Sequence, residues 1–212
     1  MNVVLSTLMH GRHLTVDKCI EKNREAGITD FVFSYTTEED GRFLIPHGVK
    51  TIQAHNYIPT KAQASIYAAY ELNPDAILLM GSDDYINDKA LQLIVELLPR
   101  YDYISFYDIL FDQDGKYYRW PGYPKGSARH GEPAGAGKVI RRDLLDRMNW
   151  EVFTGGTDRG ADFTAHTAIK RASKNRCYIG TKEGAILVDV KDSDSATPLK
   201  KFNYLEQFEY GI

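Results

Sequence analysis

Short apolar runs rich in β-branched and aromatic residues alternate with segments of helical period along almost the whole 212-residue chain. This alternation constrains the fold more than any other feature. It calls for a mostly parallel mixed sheet with helices packed on its faces, a three-layer α/β/α architecture. Residues 2–8 (NVVLSTL) read as a strand, and Val16, Cys19, Ile20 and Ala26 then recur at helical spacing until Gly27. Residues 31–36 give a second strand and 49–54 a weaker third. Pro59 opens a helix with Ala62, Ile66, Ala69 and Tyr70 on one face, closed by Asn73-Pro74. Residues 76–80 (AILLM) are the most apolar run, which places them mid-sheet.

Beyond that run the spacing predicts a helix carrying Leu91, Ile94 and Leu98, then one strand over 102–111 and a turn over Asp112–Gly115. Residues 116–136 hold seven glycines and prolines and read as a long loop, the kind that carries function. A strand over 138–140, a helix over 141–148, a Gly-rich turn over 154–161, a helix with Ala165, Ala168, Ile169 and Ala172 in register, and a strand over 185–190 complete the pattern. No linker or repeat divides the chain, so residues 1–212 read as a single domain.

Composition narrows the function classes. A net charge of −3 argues against a nucleic-acid binder held by bulk charge, and 43% hydrophobic residues is too apolar for disorder. No stretch reaches the length of a membrane span and the N-terminus lacks a basic leader, so a cytoplasmic protein is expected. Cys19 and Cys177 form no metal-like pair and read as small buried hydrophobes. The six histidines show no metal spacing, and no GxGxxG, phosphate-binding or nucleophile-elbow motif is present.

In open α/β sheets ligands gather beyond the carboxyl ends of the strands, so the polar residues there carry the argument. Gly81-Ser82-Asp83-Asp84 leaves the most apolar strand with two adjacent carboxylates. Such a pair repels itself unless a cation lies between or one group is protonated. A divalent ion with oxygen ligands relieves the repulsion, and helix capping is the competing explanation. Thr157-Asp158-Arg159-Gly160-Ala161-Asp162 repeats the theme at the start of a late helix, again with capping as the alternative.

Leu78 to Asp84 resembles the DxD region of GT-A-fold glycosyltransferases, especially the family 2 type, with Gly81 standing where the first acidic residue often is. The resemblance implies a GT-A-like fold and a metal-dependent, inverting transfer of a sugar from a nucleotide-diphosphate sugar to an acceptor hydroxyl, a UDP-sugar serving as donor. It implies Asp83 as ligand to Mn²⁺ or Mg²⁺ with Asp84 beside it. Thr7, Arg12, Glu39, Lys61 and Ser82 are implied as donor contacts with Asp83. Asp162, or else Asp158, stands where such enzymes carry the general base. After the last strand, Asp189 and Lys191 are the nearest candidates to complete the metal shell or to neutralise the diphosphate.

The loop contributes Arg119, Trp120 and Tyr123 as candidates to hold acceptor rings, unless its aromatics fold back on the core. From 116 to 147 there are eight Lys/Arg against three acids, a basic stretch inside an acidic chain. Two acceptors follow as expectations: a glycan, or a hydroxylated base in DNA such as viral sugar transferases modify. The alternative to an enzyme is a nucleotide-binding or interaction module whose acidic turns are caps alone. Nucleotidyl transfer is a related enzyme reading, weakened by the shortness of His10-Gly11-Arg12 after the first strand.

Overall fold

The structure, a computed structural model, describes residues 1–155, 160–193, 195, 197–202 and 204–210. The amino-terminal half alternates as the periodicity predicts, except that a short helix the spacing does not predict, capped by Thr37 Oγ1, lies between the second and third strands. β1 (Val3–Leu8), β2 (Asp30–Tyr35), β3 (Lys50–Gln53) and β4 (Ala76–Leu79) are joined through α1 (His13–Glu25), α2 (Glu38–Leu44) and α3 (Ile58–Tyr70). β1 pairs in parallel with both β2 and β4, and β2 with β3. Adjacent residues of β1 face opposite ways, so both faces must be covered. Val3 and Leu5 join Phe31, Phe33 and Leu78 against Val16 and Ile20 of α1. Val4 joins Val32 and Ile77 against Ile66 and Ala69 of α3.

β5 (Asp84–Ile86) follows the acidic turn and leads into α4 (Asp88–Leu97), whose Ala90 and Ile94 pack on the α1 face. The stretch expected as one strand over 102–111 is two: β6 (Tyr103–Phe106) and β7 (Ile109–Gln113). Asp108 marks the break. Buried to 1% exposure, it accepts from Arg119 Nε at 2.7 Å, Thr181 N at 3.0 Å and Thr181 Oγ1 at 2.6 Å. Those partners are reached only where the chain leaves one sheet for another.

The expected long loop also begins later than the glycine and proline content suggests. Asp114 and Gly115 both take positive φ, +55° and +77°, the mirror-image turn that matches strand twist. They reverse the chain into β8 (Lys116–Trp120), antiparallel to β7. β9 (Lys138–Arg141), α5 (Arg142–Arg147), α6 (Ala161–Ala172), β10 (Arg176–Ile179), β11 (Leu187–Val190) and β12 (Glu206–Phe208) complete the elements.

Seven strands form one mixed sheet in the order β10-β6-β9-β4-β1-β2-β3, with β4 at its centre, as the AILLM run requires. Helices α1 and α4 cover one face and α3, α5 and α6 the other. Five strands form a second sheet, β12-β8-β7-β11-β5. The chain passes from the first sheet to the second between β4 and β5, at the acidic turn. Among the described residues no helix is long and apolar enough to cross a membrane.

Candidate active site at the junction of the two sheets

Capping does not explain the acidic turn. The N-cap of α4 is Asn87, whose side chain accepts from Ala90 N at 2.9 Å. Asp83 and Asp84 turn elsewhere. In the antiparallel pair β5–β11 the residue opposite Asp84 is Asp189, and Val190 N donates to Asp83 O at 2.9 Å. Sheet pairing thus brings a third carboxylate to the turn. Asp83, Asp84 and Asp189 each present a ligand atom within 4.8 Å of the others.

Such a cluster is costly without a cation. Asp84, 4% exposed, accepts from Gly81 N at 2.6 Å. Burial, then the negative charges of Asp189 and Asp83, hold its carboxyl well above the ordinary range. Asp189 is pushed up to about 7 by burial and by Asp83, against the pull of Lys191. Lys191 Nζ lies 2.6 Å from Asp189 Oδ2 and over the rings of Phe111 and Phe202, at 5.0 and 5.6 Å. Asp189 Oδ1 is buried with no hydrogen-bond partner. A buried carboxylate oxygen left unpaired, among two other carboxylates, suits a hard divalent ion with oxygen ligands. The glycine lets both carboxylates come close to the turn: a Cβ at Gly81 would come within 2.5 Å of Asp83 Oδ1 and 3.0 Å of Asp84 Oδ2.

A cavity of about 370 Å³ opens beside this turn. Thr7 at the end of β1, Ala62 and Ser65 of α3, Met80 and Gly81 form one side, and Gly135, Lys138 and Asp162 the other. Thr7 Oγ1 is buried without a partner, and Ser6 Oγ donates to Ser65 Oγ at 2.8 Å. Asp162, 40% exposed at its side chain, pairs with Lys138 Nζ and lies 3.7 Å from Arg129 Nη2. Gly135 brings backbone close, since a Cβ there would meet Asp162 Oδ2 at 3.0 Å. Asp162 sits in the first turn of α6 but makes no side-chain cap; the N-cap is Gly160. Asp158 lies outside the described residues.

The remaining expected residues divide. Arg12 reaches the acidic turn, with Nη1 donating to Asp83 Oδ2 at 2.6 Å. Ser82 sits half-buried in that turn. Lys61, 1% exposed, donates to Met9 O and lies 3.4 Å from His10 Nδ1; burial lowers its pKa. Beside Lys61 on α3, Gln63, not one of the expected donor contacts, clamps residues 150–153, donating to Trp150 O and accepting from Val152 N and Phe153 N. Glu39 is exposed in the first turn of α2, away from the cavity lining.

The expectation for the loop needs correcting at Trp120 and Arg119. Trp120 is 7% exposed and meets Tyr123 and Phe202 edge-on at 4.9 and 6.0 Å, so it belongs to the core. Arg119 braces β8 by pairing with Asp108 and Glu206. Tyr123 remains near the cavity, with Arg129 stacked 4.2 Å over its ring. The basic stretch is largely neutralised: Arg119, Arg129, Lys138, Arg141, Arg142 and Arg147, six of its eight cations, pair with carboxylates.

One site residue escapes sequence reasoning: Lys138 reads only as the start of a strand. Asp189 is a candidate by its place near the last strand, but its position opposite Asp84 comes from register. A further signal is available for it, a lone carboxylate inside the apolar run LVDV, which burial makes expensive.

No protein-family model matches the chain, and no curated protein matches it in sequence. Solved structures match it in fold. The S. aureus TarS fragment 1–349 in complex with UDP-GlcNAc superposes with a TM-score of 0.60 at 12% identity, over 92% of this chain and 60% of that one. Full-length S. aureus TarS gives 0.60 at 11% identity, over 90% and 37%. CMP:2-keto-3-deoxy-manno-octonic acid synthetase complexed with CTP gives 0.50 at 12% identity, over 84% and 88%. The chain therefore spans less than two thirds of the TarS fragment it resembles. The fold is the mixed α/β architecture that these nucleotide-binding proteins share, as the DxD-like region led us to expect.

Proposed function

We propose that the chain is a metal-dependent nucleotide-sugar transferase whose centre is Asp83, Asp84 and Asp189. The observation that carries this reading is the convergence of three carboxylates, one with an unpaired buried oxygen, at a turn whose Gly81 lines a cavity at the end of the central strand. The likeness in fold to TarS bound to UDP-GlcNAc supports a UDP-sugar as donor.

Asp83, Asp84 and Asp189 would hold a divalent ion, which supplies positive charge against the diphosphate that leaves. The rest falls to the chain itself. Thr7 offers an unpaired hydroxyl on the cavity wall, and Arg12 and Lys191 bring cations to the acidic turn. Asp162 Oδ1 is held by Lys138, and Oδ2, beside Gly135 and 3.7 Å from Arg129 Nη2, is the oxygen that would take the acceptor's proton. Tyr123, stacked with Arg129, flanks that carboxylate as a sugar platform.

A thermal-shift screen of nucleotide sugars with Mn²⁺ tests the donor assignment. A UDP-sugar should raise the melting temperature with Mn²⁺ and not with a chelator. No shift with any nucleotide sugar would overturn it. The likeness to a CTP complex favours nucleotidyl transfer as the second reading. Product analysis separates the two, since sugar transfer releases a nucleoside diphosphate and nucleotidyl transfer releases pyrophosphate.

A further inference from the structure

Arg12 stands where non-glycine residues seldom do, at φ +56° and ψ +43°. Gly11 before it is also left-handed, at φ +60°. Its guanidinium reaches three parts of the chain from this position. Nη1 donates to Asp83 Oδ2 at 2.6 Å, and Nε to Asp192 Oδ2 at 3.0 Å. Nη2 donates to Val190 O at 3.0 Å and Ser195 Oγ at 3.2 Å. The same Asp192 oxygen accepts from Thr15 Oγ1 at 2.8 Å, and Asp192 N donates to Ser195 Oγ at 3.0 Å. The side chain is 15% exposed. One fixed cation therefore ties the loop after β1 to the acidic turn after β4 and to the segment after β11.

This placement sets Arg12 against any ion at the triad. Asp83 has one negative charge to share. A divalent ion on either of its oxygens withdraws that charge and places two positive charges one carboxylate away from the guanidinium. We propose that Arg12 is the resident counter-cation of Asp83 in the metal-free site, as Lys191 is of Asp189: a divalent ion on Asp83, Asp84 and Asp189 displaces the Arg12 guanidinium, and the freed fork then pairs with the anionic diphosphate. The exchange rests on the metal–nucleotide reading of the site and adds a consequence to it. Ion and nucleotide bind with positive cooperativity, because the ion releases the group that the nucleotide uses. The segment around Asp192 and Ser195 loosens as the ion enters, because its tie to Arg12 is lost.

Calorimetric titration of the full chain with Mn²⁺, with and without UDP, tests this on the wild type and on Arg12→Gln. Without UDP, Arg12→Gln should bind Mn²⁺ about tenfold more tightly than wild type. UDP should tighten Mn²⁺ binding by about tenfold or more in the wild type and by much less in the variant. No gain in Mn²⁺ affinity in Arg12→Gln, or an equal UDP effect in both proteins, would overturn the exchange. Hydrogen exchange in the wild type checks it without a variant. The amides of Asp192 and Ser195 should exchange faster once Mn²⁺ is added, and unchanged rates would count against the proposal. Failure of the underlying reading looks different: Mn²⁺ then fails to bind the wild type, or binds Asp83→Ala equally well.

Discussion

Asp102 shows how a single side chain sets local stability. It is 2% exposed and accepts from Ser173 Oγ at 2.7 Å, Lys174 N at 2.9 Å, Asn175 N at 3.1 Å and the guanidinium of Arg147. Asp102→Ala strands two backbone donors, and denaturant titration should show a loss of about 3 kcal/mol. Burial alone would raise its pKa, but the three hydrogen bonds and Arg147 together bring it below the ordinary carboxylate range. Its contribution is therefore present above that range and lost as the pH falls through the depressed value. Asp143, pushed down to about 2 by Arg141 and Arg147 against burial, titrates in the same direction. Asp189 has the opposite sign. Raised to about 7, it favours the folded chain below the ordinary carboxylate range, and this contribution is lost as the pH rises toward 7. Melting temperatures followed from pH 4.5 to 7.5 should thus fall less in Asp189→Asn than in the metal-free wild type. Equal slopes would contradict the burial argument.

At the scale of elements, caps and close approaches hold the pieces in register. Asn87 caps α4 through Ala90 N, accepts from Ile186 N at 3.0 Å and donates to Gly184 O at 3.0 Å, joining α4 to the approach of β11. Asn87→Ala should lower stability by about 2 kcal/mol in chemical denaturation. Gly137 turns at φ +73°, and a Cβ there would overlap Leu187 and Phe106. Gly137→Ala should cost about 2 kcal/mol or more by the same measurement.

Elements with a strong period were legible in the sequence: α1, α3, α4 and the central β4 fall where spacing put them. The short strands β5, β10 and β12 were not, because DYI, RCYI and EQF hold too few residues for a period and none, unlike β4, is apolar throughout. Nor was the break at Asp108, since DYISFYDILF is apolar enough for one strand and only the tertiary partners Arg119 and Thr181 divide it. The site followed the same rule. Asp83 and Asp84 were visible as neighbours in sequence. Asp189 became their partner through a strand register, and Lys138 met Asp162 through the approach of β9 to α6.

For the whole molecule, charge and topology point the same way. The basic stretch that suggested DNA is paired with carboxylates, Asp102, Asp108, Asp162 and Glu206 from outside it and Glu132, Asp143 and Asp146 within it. Fluorescence anisotropy with duplex DNA should therefore show no tight, steeply salt-dependent complex. The two sheets meet at the turn from β4 to β5, and there the carboxylates converge beside the cavity. The most direct test is the release of UDP from a UDP-sugar with Mn²⁺ by the wild type and by Asp83→Ala and Asp189→Asn. The account predicts Mn²⁺-dependent release that a chelator abolishes and that both substitutions reduce by about a hundredfold or more. Release that ignores the chelator, or survives both substitutions unchanged, would contradict it.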